Sequence, residues 1–171
     1  MRERGDDEGA AAMWEELGDF EDAPDKLQEC NNYINYDKAV DALANKKFYE
    51  AYALFKDMGD FKDAEAKAKE CIQPTPENGL MEQSEGFARN ATITVKSNSA
   101  ETKLIVIKIY EAYTEKVITT FFLKPGESAS APFPASLQYS AKIAAGPNWF
   151  GTADLFGHYD ARLGVSSQLL V

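Results

Sequence analysis

Two cysteines, one histidine and one pair of adjacent large aromatics are the residues of this chain that invite a chemical reading. Cys30 and Cys71 each close a line of nearly the same text, "LGDFEDAPDKLQEC" and "MGDFKDAEAKAKEC". Equivalent residues on neighbouring helical segments stand about 8–10 Å apart or more. A disulfide needs Cα atoms within about 7 Å. Both cysteines are therefore expected as reduced thiols filling a helix interface. Zinc would need four ligands, and the chain has no CxxC pair to begin such a set. His158 lies in "DLFGHYD" with Asp154 and Asp160, which reads either as a three-ligand loop site or as a solvated turn. No serine or cysteine stands in the histidine-and-acid context of a nucleophile. No glycine-rich phosphate loop is present, and the many helical carboxylates read as solvated faces. The expectation is a protein that is not an enzyme and uses no cofactor or metal.

The aromatic pair sits in "GPNWFGTADLFG", residues 146–157. Gly146 and Pro147 break the preceding strand, so Trp149 and Phe150 fall on a turn. Two readings are open. In one, Phe150, Leu155 and Phe156 pack back as a structural corner. In the other, Trp149 is a platform for a sugar ring or a peptide proline, since indole offers apolar area and one donor. The candidate binding residues are Trp149, Phe150, Phe156 and Tyr159.

The elements that must position these residues begin with the duplicated line. Aligning Met13 with Leu54 pairs Gly18 with Gly59, Asp19 with Asp60, Phe20 with Phe61, Asp22 with Asp63, Ala23 with Ala64, and Cys30 with Cys71. A period near 40 with helical composition predicts a helical repeat array. Ala51, Leu54, Phe55 and Met58 recur at helical spacing. Gly59 suits a left-handed helix end, and Asp60 suits the cap of the next helix; Gly18 and Asp19 play these parts earlier. The spacing predicts helices over about 8–17, 22–45, 49–58 and 62–72, the second bent near 31–35. The first helix lacks a long partner, so Met13, Trp14 and Leu17 are expected as an exposed stripe open to dimerisation or to further repeats.

The residues "GDF.DA..K..EC" and "YDKAVDALANKKFYEAYALFKDMGDFKDA" resemble the tetratricopeptide-like repeats of uncharacterised proteins of Gram-positive bacteria. The resemblance covers roughly residues 10–73 and implies a bacterial chain with a repeat-built interaction surface. "FFLKPGESASAPFPASLQYSAKIAAGPNWFGTADLFG" is similar to the small β-domain that follows such repeats. That module ends a strand with a G-x-x-W-[YF]-G…L-F-G line, matched by Gly146, Trp149, Phe150, Gly151, Leu155, Phe156 and Gly157.

"CIQPTPENGLMEQSEG" reads as a boundary. Beyond it the period changes to alternation in "ATITVKS", "KLIVIKIYE", "KVITTFFL" and "QYSAKIAAG", with a turn at Pro125-Gly126. The expected fold is α+β in two units: an N-terminal antiparallel helical repeat array over 1–73, a linker over 74–86, and a small antiparallel β-sandwich or barrel over 87–171.

The net charge of −10 is uneven: residues 1–75 carry 19 Asp/Glu against 10 Lys/Arg, and residues 86–171 carry 6 against 8. Neither half has the basic stripe that phosphate binding needs, so nucleic acid is not an expected partner. No run approaches the roughly 18–20 apolar residues of a membrane span, and "MRERGDDEGAAAM" lacks a signal peptide's apolar core. Either a cytoplasmic place or the extracytoplasmic part of a longer anchored protein fits. The expected function is a non-enzymatic protein-interaction scaffold with a protein or peptide partner, and a homodimer through the N-terminal helix is open. The alternative is a cell-envelope or carbohydrate-binding module that uses the aromatic loop on a cell-wall glycan.

Overall fold

The computed structural model describes residues 4–98, 100, 102–135, 137–157 and 161–162. The chain divides into two compact units, Met1–Ile72 and Gln73–Val171.

The first unit is four helices: α1 (Arg4–Leu17), α2 (Ala23–Ala44), α3 (Phe48–Asp57) and α4 (Ala64–Glu70). Each packs against the next in sequence. The expected repeat array is not what the chain builds: among the described residues the helical part is confined to these four helices, and a β-rich region of two antiparallel sheets follows. The cause lies in the residues after each cysteine. Past Cys30, α2 runs on through Ala44 without a break. Past Cys71, "IQPTPENG" carries two prolines that remove helical donors. The second copy of the line therefore ends where the first is midway.

The loop joining the helices of each pair is the same backbone twice. Gly18 has φ 56° and Gly59 φ 61°; three residues on, Glu21 has φ 47° and Lys62 φ 51°. The Phe20 N–H donates to the Leu17 carbonyl at 3.2 Å, as Phe61 does to Met58 at 3.2 Å. The Ala23 N–H donates to Phe20 at 3.0 Å, as Ala64 does to Phe61 at 3.0 Å. Two left-handed residues bracket this turn, and only after the second does the helix begin. The helices are consequently capped by Asp22 and Asp63, not by Asp19 and Asp60, and neither side chain makes a capping hydrogen bond to its own helix.

The large buried side chains of this unit gather around the second pair. Phe55 and Met58 pack with Ala39, Ala42, Ala51, Ala64, Ala68 and Cys71. Around the first pair the buried residues are small or polar: Asp7, Ala11, Ala23 and Cys30.

The second unit has strands β1 (Gly79–Gln83), β2 (Ala91–Lys96), β3 (Leu104–Glu111), β4 (Val117–Leu123), β5 (Ser128–Phe133), β6 (Tyr139–Gly146) and β7 (Ala161–Arg162). One sheet has the order β1-β4-β3-β6-β7, the other pairs β2 with β5, and all pairings are antiparallel. β1 lies in the segment expected as linker. Its short "GLMEQ" run pairs Gly79 with Phe122 through a register shift after Leu80, and Pro74 and Pro76 before it and Gly86 after it hide it. Asn78 secures its entry: its amide donates to the Ser128 carbonyl at 3.0 Å and its oxygen accepts from the Lys124 N–H at 3.0 Å.

Successive side chains of a strand face opposite sides, and the larger sheet uses both. Ile109, Ile118 and Phe121 meet Ala131 and Phe133 of the smaller sheet. Val106 and Phe122 meet Trp149 and Phe156 from the segment after β6. β4 is therefore buried from Ile118 to Leu123 without alternation, as expected for a strand covered on both faces.

Candidate functional site

The aromatic line after β6 is a corner. Trp149, Phe150 and Phe156 are 3%, 3% and 1% exposed. The indole sits edge-on to Phe122 at 5.4 Å between centroids and to Phe156 at 5.5 Å. Such pairs add about 0.5–1.5 kcal/mol beyond burial. The backbone closes around them: the Phe150 N–H donates to the Leu155 carbonyl, Leu155 to Gly151 and Gly157 to Asp154, each at 2.8 Å, and Gln73 donates to Trp149 at 2.8 Å. Gly146 is required here, because a Cβ on it would lie 2.4 Å from Phe156 Cβ. An indole held this way turns no face to a sugar or a proline, and of the two readings open for Trp149 the packing is that of the corner. Tyr159, His158 and Asp160 lie outside the described residues.

Cys30 and Cys71 are both buried thiols, not bridged. Cys71 Sγ donates to the Lys67 carbonyl at 3.2 Å. Burial, with Glu70 nearby, pushes the Cys71 thiol up to about 11, so at neutral pH it is a protonated packing group and not a nucleophile. Among the described residues no group of three His, Cys, Asp or Glu is arranged to hold a metal, and no helix is long and apolar enough to cross a membrane. A cavity of about 110 Å³ beside Asp7, Glu8, Ile34, Asp37 and Lys38 is well below the roughly 300–1,000 Å³ of a small-molecule site.

The duplicated loop presents a surface in each of its copies. In the second copy the loop is covered by α2. Phe61 meets Tyr33 edge-on at 5.0 Å and Tyr36 at 6.2 Å, and Tyr36 meets Phe55 at 5.8 Å. Lys62 Nζ lies 4.5 Å from the Tyr33 ring centroid and 4.2 Å from that of Tyr36, within cation–π range. The Tyr36 hydroxyl donates to the Asp63 carboxylate. Burial and this bond push the Tyr36 phenol up to about 12, and the same bond, with Lys67 beside it, holds Asp63 below the usual carboxylate range. Loop and helix thus interlock through an aromatic pair one turn apart and a cation above it.

In the first copy the equivalent side chains face solvent. Met13 is 70% exposed, Leu17 49% and Phe20 62%. Trp14, the counterpart of the fully buried Phe55, is half-buried. Singly exposed apolar residues need no explanation, but a contiguous stripe does. Met13, Leu17 and Phe20 succeed one another at four and three residues, along one helix face and into its terminal loop. The exposed Met13 and Leu17 were legible as an unpartnered helix stripe. Phe20 belonged to the same surface, but its repeat position made it read as structural.

Comparison with protein-family models, curated proteins and solved structures returned no match.

Proposed function

We propose that this chain is a protein-interaction module that acts by binding and not by chemistry, with the first loop copy and the end of α1 as its contact surface. One observation carries the proposal: Met13, Leu17 and Phe20 are exposed where their counterparts Leu54, Met58 and Phe61 join a core. The same loop backbone stands beneath both sets, so the exposed set is already held in a geometry that packs well. Preorganisation of this kind lowers the ordering cost of association. The resemblance to uncharacterised Gram-positive proteins rests on the same loop residues and belongs to this proposal.

Selection of displayed helical peptides on the full chain tests it. Peptides enriched on the wild type should be lost on Leu17→Asp and Phe20→Asp, variants whose melting is expected to stay unchanged because both sites face solvent. Equal enrichment on the wild type and both variants would refute this surface as the contact.

A further inference from the structure

We infer that the occupant of this face is a cationic amphipathic helix carrying two aromatic side chains one turn apart. The inference rests on the proposed function and names its partner. The first support is internal. The second loop copy displays its own solution to covering this backbone: a helix that sets Tyr33 and Tyr36 against Phe61. The first copy has the same turn, with matching φ values at Gly18 and Glu21, and the same aromatic at Phe20. What packs on one therefore fits the other.

The second support is charge. Around the apolar residues of the second copy stand Lys56, Asp57, Asp60, Lys62 and Asp63. The counterparts in the first copy are Glu15, Glu16, Asp19, Glu21 and Asp22. Both lysines have become glutamates. In the second copy Lys62 supplies the cation above the tyrosine rings; in the first, Glu21 holds that place. A partner must bring the positive charge itself, and a rim of five carboxylates attracts one that does. The same rim disfavours a second copy of this chain, which would set carboxylates against carboxylates. Its own tyrosine pair is moreover engaged with Phe61. The contact offers three apolar side chains and a charged rim, so the complex belongs with small, transient interfaces of micromolar affinity.

The test uses a fluorescent synthetic helix of residues 28–45, with Cys30→Ser and with Glu29, Asp37 and Asp41 changed to Lys. Anisotropy on the full chain should show saturable binding, weakened at least tenfold by Phe20→Ser and several-fold by Glu21→Lys, and weakened further by added salt. A peptide of equal charge with both tyrosines changed to Ser should not bind, which separates recognition from plain attraction. The inference is overturned by absence of saturable binding, by equal binding of the tyrosine-free peptide, by indifference to Phe20→Ser, or by a wild-type dimer that Phe20→Asp dissociates. If selected helices without this pattern bind at Phe20, the contact surface stands and this choice of partner falls. If no helix binds there, both fall.

Discussion

The two copies of the G-D-F-x-D-A loop share a backbone and differ in what lies on it. Both have left-handed residues at the first and fourth positions and the same pair of turn hydrogen bonds. Yet Phe61 is wedged between two tyrosines while Phe20 stands in solvent. Local residues are enough to shape the turn, because glycine and short-range hydrogen bonding decide it. Burial is decided by a helix elsewhere in the chain: α2 runs on past Cys30 and covers the second loop with Tyr33 and Tyr36. The comparison separates local preference from tertiary packing within a single molecule.

Substitutions at matched positions should separate the two. The largest difference is expected between Phe55→Ala and Trp14→Ala. Phe55 is fully buried, so its truncation should cost about 3–5 kcal/mol. Trp14 lacks such a core, and its truncation should cost roughly 1 kcal/mol, in the ordinary range of point changes. Urea unfolding followed by circular dichroism measures both, and equal losses would mean that the first pair has a core of its own.

A change in backbone freedom should act on both copies alike. Gly18→Ala and Gly59→Ala meet no neighbour within 4 Å, so each should lose only the cost of a left-handed alanine, about 1–2 kcal/mol. A large disparity between them would show that the turns are not equivalent. Gly146→Ala in the β unit offers a contrast: there the added methyl meets Phe156, and overpacking should cost about 1–3 kcal/mol with a red shift of the Trp149 emission.

A pH dependence should belong to the covered copy alone. The Tyr36 phenol is raised to about 12 in the fold, against about 10 in an unfolded chain. A neutral acid with a raised folded pKa stabilises fully below pH 10, and this contribution fades as pH climbs from about 10 to 12. Asp63 has the opposite sign: its depressed carboxyl stabilises above the ordinary carboxylate range and is lost as acid protonates it. Tyr36→Phe should therefore flatten the stability profile at both ends, measured by denaturant midpoints from pH 3 to 12. A profile with unchanged slopes would remove the Tyr36–Asp63 pair from the account.

Much of this is legible in the sequence. The left-handed glycines, the four helices and four of the seven strands among the described residues (β2, β3, β4 and β6) follow from repeat alignment, glycine placement and the change of period from helical to alternating. Three features are not. The extent of the repeat depended on Pro74 and Pro76 stopping α4, a single local event that outweighs a long periodic signal. β1 is short and flanked by punctuation, so its identity comes from its partner β4. The inward turn of Trp149 depends on Gly146 making room for Phe156, a contact between residues ten apart that alternation does not encode. The exposed surface is half visible in the sequence: Met13 and Leu17 stand out as a stripe, whereas Phe20 reads as structural from its repeat position, and only the packing of its twin Phe61 against Tyr33 and Tyr36 sets the two apart.

One loop copy is closed by its own chain and the other is open. The most direct measurement is the paired melting of Phe61→Asp and Phe20→Asp in the full chain. Phe61→Asp should forfeit the tyrosine contacts and cost about 2 kcal/mol, the order of burying one such side chain, lowering the melting temperature of the helical unit by roughly 8–16 °C. Phe20→Asp should leave it within about 2–4 °C, as for a surface change of up to about 0.5 kcal/mol. Equal losses from the two variants would contradict the account.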